Sequence, residues 1–208
     1  MTLDLPGHGD AADLRASLPE TAALVLEALP LEPVVLGGYS FGARVALHVA
    51  LRAPERLRAL VLVGASRGII DDEERSERRR RDEALAAHLE VVGTQVFLTE
   101  WLSQPLFATL GSRADTTTRS TNATGLANSL RSAGTGTQAW LGDALAELEV
   151  ATLAMAGELD TKFVAEARAL AATVRHGTAV TIPGAGHAAH LEQPELVART
   201  IEEFLASA

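Results

Sequence analysis

Short apolar runs alternate with amphipathic stretches at both ends of the chain, and the alternation stops in between. "PVVLGG" (33–38), "RALVLVGA" (58–65), "VATLAMAG" (150–157) and "GTAVTIPG" (177–184) have strand length, are nearly continuous in apolar residues and are bounded by glycine or proline. Strands apolar on both faces belong in a sheet covered on both sides, the usual condition of parallel strands. The stretches "ARVALHVALRA" (43–53) and "TKFVAEARALAATV" (161–174) instead repeat apolar residues at helical spacing. The pattern predicts βαβ units: an α/β fold with a mostly parallel sheet and helices on both faces. From Ser66 to Leu148 the text turns helical and polar, as "DDEERSERRRRDEALAAHLEVV", then "VFLTEWLSQPLFATL", then a Ser/Thr/Gly-rich run to Trp140. We read a single domain over 1–208, with its core in 1–65 and 149–208 and a helical insertion at 66–148. Such an insertion, lying over the carboxyl ends of the strands, forms a lid above the place where these sheets bind ligands.

Charge and composition narrow the function. The 208 residues carry 27 acidic and 18 basic side chains, a net charge of −9, which argues against general nucleic-acid binding. No apolar run is long enough to span a bilayer and no charged-then-apolar leader occupies Met1 to Asp10, so a cytoplasmic protein with no membrane partner is expected. The absence of cysteine excludes disulfides and thiolate metal sites.

Candidate chemistry begins at "LGGYSFGAR" (36–44), where Ser40 stands between Gly38 and Gly42 at the junction of a strand and a helix. A serine hydroxyl becomes a base or nucleophile only when a histidine takes its proton, so it must stand clear of the backbone, and a sharp strand-turn-helix achieves this. The two glycines leave room where helix and strand approach, and the N–H of Phe41 is placed as an oxyanion donor. An ordinary serine N-cap fits the same letters. A triad needs an acid and then a histidine, each after a later strand. "ATLAMAGELD" ends on Asp160 and "AVTIPGAGH" on His187; Glu158 competes as the acid, while His190 lies three residues on and His48 is inside a helix. Asp160 also suits the N-cap of the helix that follows it, and His187 suits a loop histidine bonded to backbone. Their order with Ser40, each at a strand end, favours a triad in which Asp160 orients His187 and His187 holds the proton of Ser40.

Arginines suggest the substrate. Arg75, Arg78 and Arg79 share one face of a predicted helix, with Glu77 and Arg81 paired on another, a pattern that by default is a solvated charged face. Arg44, one turn beyond Ser40, with arginines above it, would suit a ligand bearing carboxylates. Trp101 and Phe107 in "WLSQPLF" are packing residues that can also line a pocket.

Together "DLPGHG", "GYSFGARVAL", "ERSERRRRDE", "WLSQPLFATL", "RSTNATGLANSLRSAGTGTQ", "GELDTKF" and "GAGHAAHLEQP" resemble the 2-succinyl-6-hydroxy-2,4-cyclohexadiene-1-carboxylate (SHCHC) synthases of menaquinone biosynthesis, of the α/β-hydrolase fold. The resemblance spans essentially the whole chain. It implies a lyase that uses Ser40, His187 and Asp160 to abstract a proton from a cyclohexene precursor, whose enolpyruvyl group leaves as pyruvate, with no cofactor or metal. It further implies that Tyr39, Phe41 and Arg44 beside the elbow contact a small anionic substrate, that Arg78 and Arg119 bind its carboxylates, and that Trp101 lines the pocket.

Members of that family begin with further strands and a His-Gly loop that completes the oxyanion hole, whereas this text starts at "MTLDLPGHGD". The expectation is that the first strands are missing, that Thr2 to Leu5 end a strand, and that the edge beside "PVVLGG" is open to self-association. Two rival functions stay open at this point: an esterase or carbon–carbon bond hydrolase acting through an acyl-serine, and an inactive truncated remnant.

Overall fold

The computed structural model describes residues 1–113 and 122–207. Four parallel strands, β1 (Val34–Tyr39), β2 (Leu57–Val63), β3 (Thr152–Gly157) and β4 (Gly177–Ile182), pair in the order β1-β2-β3-β4. Their near-continuous apolar character follows from burial on both faces. In β2, Leu60 and Leu62 join one core while Ala59, Val61 and Val63 join the other; in β3, Ala154 and Ala156 oppose Leu153 and Met155 in the same way. The first core is closed by α1 (Leu18–Ala28), α2 (Phe41–Arg52) and α6 (Thr161–Thr173), and the second by α7 (Ala189–Glu192) and α8 (Pro194–Ser207).

No strand occurs among the described residues between β2 and β3. That insertion comprises α3 (Asp72–Leu102), α4 (Ala123–Ala133) and the short α5 (Gly142–Leu145). Asp71 caps α3 by accepting from the Glu74 N–H at 2.7 Å, and Asn122 caps α4 by accepting from the Gly125 N–H at 2.8 Å. Gly93, at φ 77°, breaks α3 and turns its last segment back. Ala86, Leu89, Phe97 and Ala127 then form a third core of the insertion's own. Arg67 ties the insertion to the sheet domain: its Nε donates to Glu166 Oε1 at 3.0 Å, its carbonyl accepts from the Leu141 N–H at 2.9 Å, and its guanidinium lies 4.9 Å from the Trp140 ring.

One expectation is corrected at the front. Thr2 to Leu5 form no strand. Leu3 and Leu5 instead pack on the α1–α2 side of the sheet. β1 pairs with β2 alone among the described residues, so the run has no ladder partner to define a strand. Along this open edge a groove of ≈ 500 Å³ runs between Met1, Leu3 and Leu5 and the backbone of β1.

α2 carries a titratable liability. His48 lies inside it with Nε2 buried and unpartnered. Burial, with the charge of Arg44 second, pushes the imidazole from 6.5 down to about 4. Between those values the unfolded chain binds a proton that the folded chain does not, so stability falls as pH is lowered through the window and is fully present above it. His190, also pushed down by burial, acts in the same direction. Melting temperatures measured from pH 7 to pH 4 are expected to fall more steeply for the natural chain than for His48→Leu; equal slopes would contradict the assignment.

Candidate active site

β1 ends at Tyr39, α2 starts at Phe41, and Ser40 makes the whole turn between them with φ 48° and ψ −105°. It is the one non-glycine residue at positive φ among the described residues. Such a conformation costs about 1–3 kcal/mol and persists only where the surroundings over-determine it. Here the Ser40 N–H donates to the Val63 carbonyl at 2.8 Å, fixing the turn to β2, and its carbonyl accepts from the Arg44 N–H at 3.1 Å, starting α2. A Cβ at Gly38 would lie 2.4 Å from the Gly42 carbonyl carbon, so the close approach is real. Among the described residues a Cβ at Gly42 would meet nothing within 4 Å, so the close approach is seen at Gly38, which corrects the expectation of a paired requirement. Phe41, as first residue of α2, keeps an N–H without an intrahelical acceptor.

Asp160 follows β3 and does both things its sequence position allows. Its Oδ1 accepts from the Phe163 N–H at 3.3 Å, capping α6, while its Oδ2 lies 2.7 Å from His187 Nδ1. His187 follows β4, and its Nε2 lies 3.2 Å from Ser40 Oγ. A carboxylate only accepts, so Nδ1 carries the proton and Nε2 is left to accept from the serine hydroxyl. Both partners are nearly sealed from solvent, His187 at 3% and Asp160 at 8% exposure. Glu158, the competing acid, turns away and accepts from the Gly184 N–H at 2.9 Å.

The loop bearing His187 is held from two sides. Glu192, itself buried, accepts from the Gly186 N–H at 2.9 Å. At the end of β2, Gly64 has φ 61°, and a Cβ there would stand 2.9 Å from His187 Cε1. Gly64→Ala is therefore expected to displace the imidazole and lower kcat by about a hundredfold, since misplacing a catalytic group by about 1 Å has that scale of effect. Steady-state kinetics check this, and unchanged kcat would show that the imidazole is not held by this contact.

Aromatic rings surround the imidazole: Phe163 at 4.6 Å, Tyr39 at 5.3 Å and Phe107 at 6.0 Å between centroids. Tyr39 also lies against His190 in a tilted pair, 4.4 Å between centroids. Trp101 lies behind Phe107, 6.2 Å away, and stacks on Phe97 at 5.8 Å. Sequence reasoning read Phe107 as a packing residue that can also line a pocket, and overlooked Phe163 and Glu192. The apolar position three residues after the candidate acid was the available signal for Phe163.

Of the arginines, Arg44 is buried at 9% exposure, and its Nη1 donates to the Ala133 carbonyl at 2.9 Å and to Gln138 Oε1 at 3.4 Å. Its guanidinium lies 5.4 Å from the ring of Phe41, which also makes a tilted pair with His8 at 5.6 Å. Burial first, and the charge of Arg78 second, pull Arg44 down to about 10. Arg78 turns inward and donates from Nε to Asp82 Oδ1 at 2.7 Å, whereas Arg79 is exposed and Arg75 pairs with Asp72. Arg119 lies outside the described residues. Among the described residues no three His, Asp or Glu side chains come together as metal ligands.

Comparison with known proteins places these features in a lineage. A model described as "Alpha/beta hydrolase family" matches residues 1–200. A protein of Bacillus subtilis (strain 168), provisionally named 2-succinyl-6-hydroxy-2,4-cyclohexadiene-1-carboxylate synthase, is 35% identical over 99% of this chain and 80% of its own length. A protein of Photorhabdus laumondii bearing that synthase name outright is 32% identical over 99% of this chain and 75% of its own. Among solved structures, MenH from S. aureus matches with TM-score 0.92 and 31% identity over 99% of this chain and 82% of that one.

Proposed function

The chain belongs to the alpha/beta hydrolase family and, within it, to the SHCHC synthases of menaquinone biosynthesis, and we propose that Ser40, His187 and Asp160 are the base system that drives its reaction. The reaction is a lyase step: 2-succinyl-5-enolpyruvyl-6-hydroxy-3-cyclohexene-1-carboxylate loses pyruvate to give SHCHC. The ring positions define the electron flow. The C2–H bond, acidified by the neighbouring succinyl carbonyl, breaks and its pair becomes C2=C3. The former C3=C4 pair becomes C4=C5, and the C5–O bond breaks to release enolpyruvate, which takes up a proton to become pyruvate.

In this scheme Ser40 Oγ removes the C2 proton as its own proton passes to His187 Nε2. Asp160, bonded to Nδ1, stabilises the imidazolium that forms. The Phe41 N–H faces the oxygen on which enolate charge develops, and the imidazolium returns its proton to the departing enolpyruvate. Arg44 and Arg78 receive substrate carboxylate, which the planar guanidinium fork suits. Tyr39, Phe107 and, behind it, Trp101 close the apolar side. Arg119 stays in the proposal as a further carboxylate ligand, on the resemblance alone.

The observation that carries the base assignment is the hydrogen-bonded line Asp160–His187–Ser40, with separations of 2.7 and 3.2 Å. The same line would serve an acyl-serine hydrolase, so the test looks for the covalent step. Intact-mass measurement of the chain during turnover of the enolpyruvyl precursor is expected to show unmodified protein only. An adduct on Ser40, absent in Ser40→Ala, would replace the base role with a nucleophilic one.

A further inference from the structure

We propose that Asp82 is a positioning residue for the substrate-binding arginines: a buried carboxylate that fixes the direction of Arg78 and fastens the loop that holds Arg44. The inference rests on the reading of Arg44 and Arg78 as carboxylate ligands and extends it to a residue that touches no substrate.

Asp82 lies one helical turn beyond Arg78 on α3 and is 1% exposed. An unpaired charge at such burial would be strongly destabilising, so both of its oxygens must be used. Oδ1 accepts from Arg78 Nε at 2.7 Å, and Oδ2 accepts from the Gly136 N–H at 2.9 Å. Gly136 belongs to the loop after α4, and the same short segment supplies both acceptors of Arg44 Nη1, the Ala133 carbonyl and Gln138 Oε1. The loop can come this close only because it lacks side chains at two points. A Cβ at Gly134 would lie 2.6 Å from Asp82 Oδ2, and one at Gly136 would lie 2.3 Å from the Arg79 backbone nitrogen. One carboxylate thus fastens the loop to α3, and the loop fastens Arg44 above the elbow.

Charge accounting gives Asp82 its second role. Arg78 repels Arg44 and Asp82 opposes that repulsion, so the trio of buried Arg44, half-buried Arg78 and buried Asp82 carries a formal net charge of one positive unit. Engagement through Nε leaves both Nη groups of Arg78 without an acceptor among the described residues, and a guanidinium held at Nε has its terminal fork aimed in one direction. The arrangement suits one incoming carboxylate, which neutralises the trio.

The test is a double-mutant cycle on pyruvate release, with each variant's fold checked by thermal melting. Asp82→Asn removes the charge while keeping the shape; it is expected to raise KM by roughly tenfold and leave kcat within about twofold, the split of a ground-state positioning loss. Arg78→Ala is expected to raise KM at least as much, and Asp82→Asn on that background to add nothing further. Where Asp82→Asn fails to fold, Asp82→Ser, smaller and still able to accept from Gly136, takes its place with the same expectation. A rise in KM for Arg78→Ala with none for a folded Asp82 variant would overturn the positioning role and leave the carboxylate reading intact. Additive effects, or a fall in kcat at constant KM, would also overturn it. An unchanged KM in Arg78→Ala would instead remove the carboxylate reading on which the inference stands.

Discussion

Asp160→Asn is expected to lower kcat for pyruvate release by about 10⁴ while leaving the fold nearly as stable as before. The two halves of this result separate the two roles of the residue. Asparagine caps a helix about as well as aspartate, so acceptance from the Phe163 N–H survives the substitution. What it removes is the charge facing His187 Nδ1 at 2.7 Å. An amide can donate to that nitrogen and select the other tautomer, in which Nε2 carries the proton and cannot accept from Ser40; in a serine triad that change has an effect of about four orders of magnitude. A loss of about 1 kcal/mol in a domain of this size moves the melting temperature by only about 2–4 °C. Asp160→Ala provides the contrast, with a similar loss of activity and a further loss of stability of about 0.5–2 kcal/mol from the missing cap. Kinetics and melting curves on both variants check the pair, and an Asp160→Asn enzyme with near-normal kcat would reduce Asp160 to a helix cap.

Ser40→Ala is expected to lower kcat by at least about a thousandfold with little change in stability. Removing one member of a unit that works together forfeits most of what the unit supplies. The oxygen is the atom lost, and with it goes the 3.2 Å contact with His187 Nε2. The backbone strain at φ 48° is the same for alanine, which also has a Cβ, so folding should barely register the change. If the imidazole took the C2 proton directly, the alanine enzyme would keep a substantial share of its activity. That outcome would make Ser40 a spectator and His187 the sole base.

The fold was legible where local pattern and tertiary context agree. All four strands were readable because helices cover both sheet faces, which makes the runs nearly continuous in apolar residues, as in Ala59–Val63 of β2. The proximity of Ser40, His187 and Asp160 was legible because each sits at a strand end in a fixed chain order, and the three side chains meet at 2.7 and 3.2 Å. Periodicity fixes which residues share a helix face but not which face turns inward. It grouped Arg78 with Arg79, and only packing against the loop at Gly134–Gly136 distinguishes them. Asp82 stands four residues after Arg78, a spacing that signals an ion pair, but its burial depends on a loop more than fifty residues away. Asp160 shows the opposite lesson: the cap and the contact to His187 were weighed as alternatives, and a carboxylate with two oxygens makes both. Thr2 to Leu5 were expected to end a strand because the resembled family begins with further strands, but a strand also requires a neighbour to pair with.

Elimination of pyruvate with Ser40 and His187 as the base is tested by pyruvate release from the enolpyruvyl precursor, coupled to lactate dehydrogenase and run beside diene formation, for the natural chain and Ser40→Ala. The expectation is one pyruvate per diene from the natural chain and almost none from the variant. Precursor left unchanged by the natural chain, or pyruvate released equally by both, would contradict it.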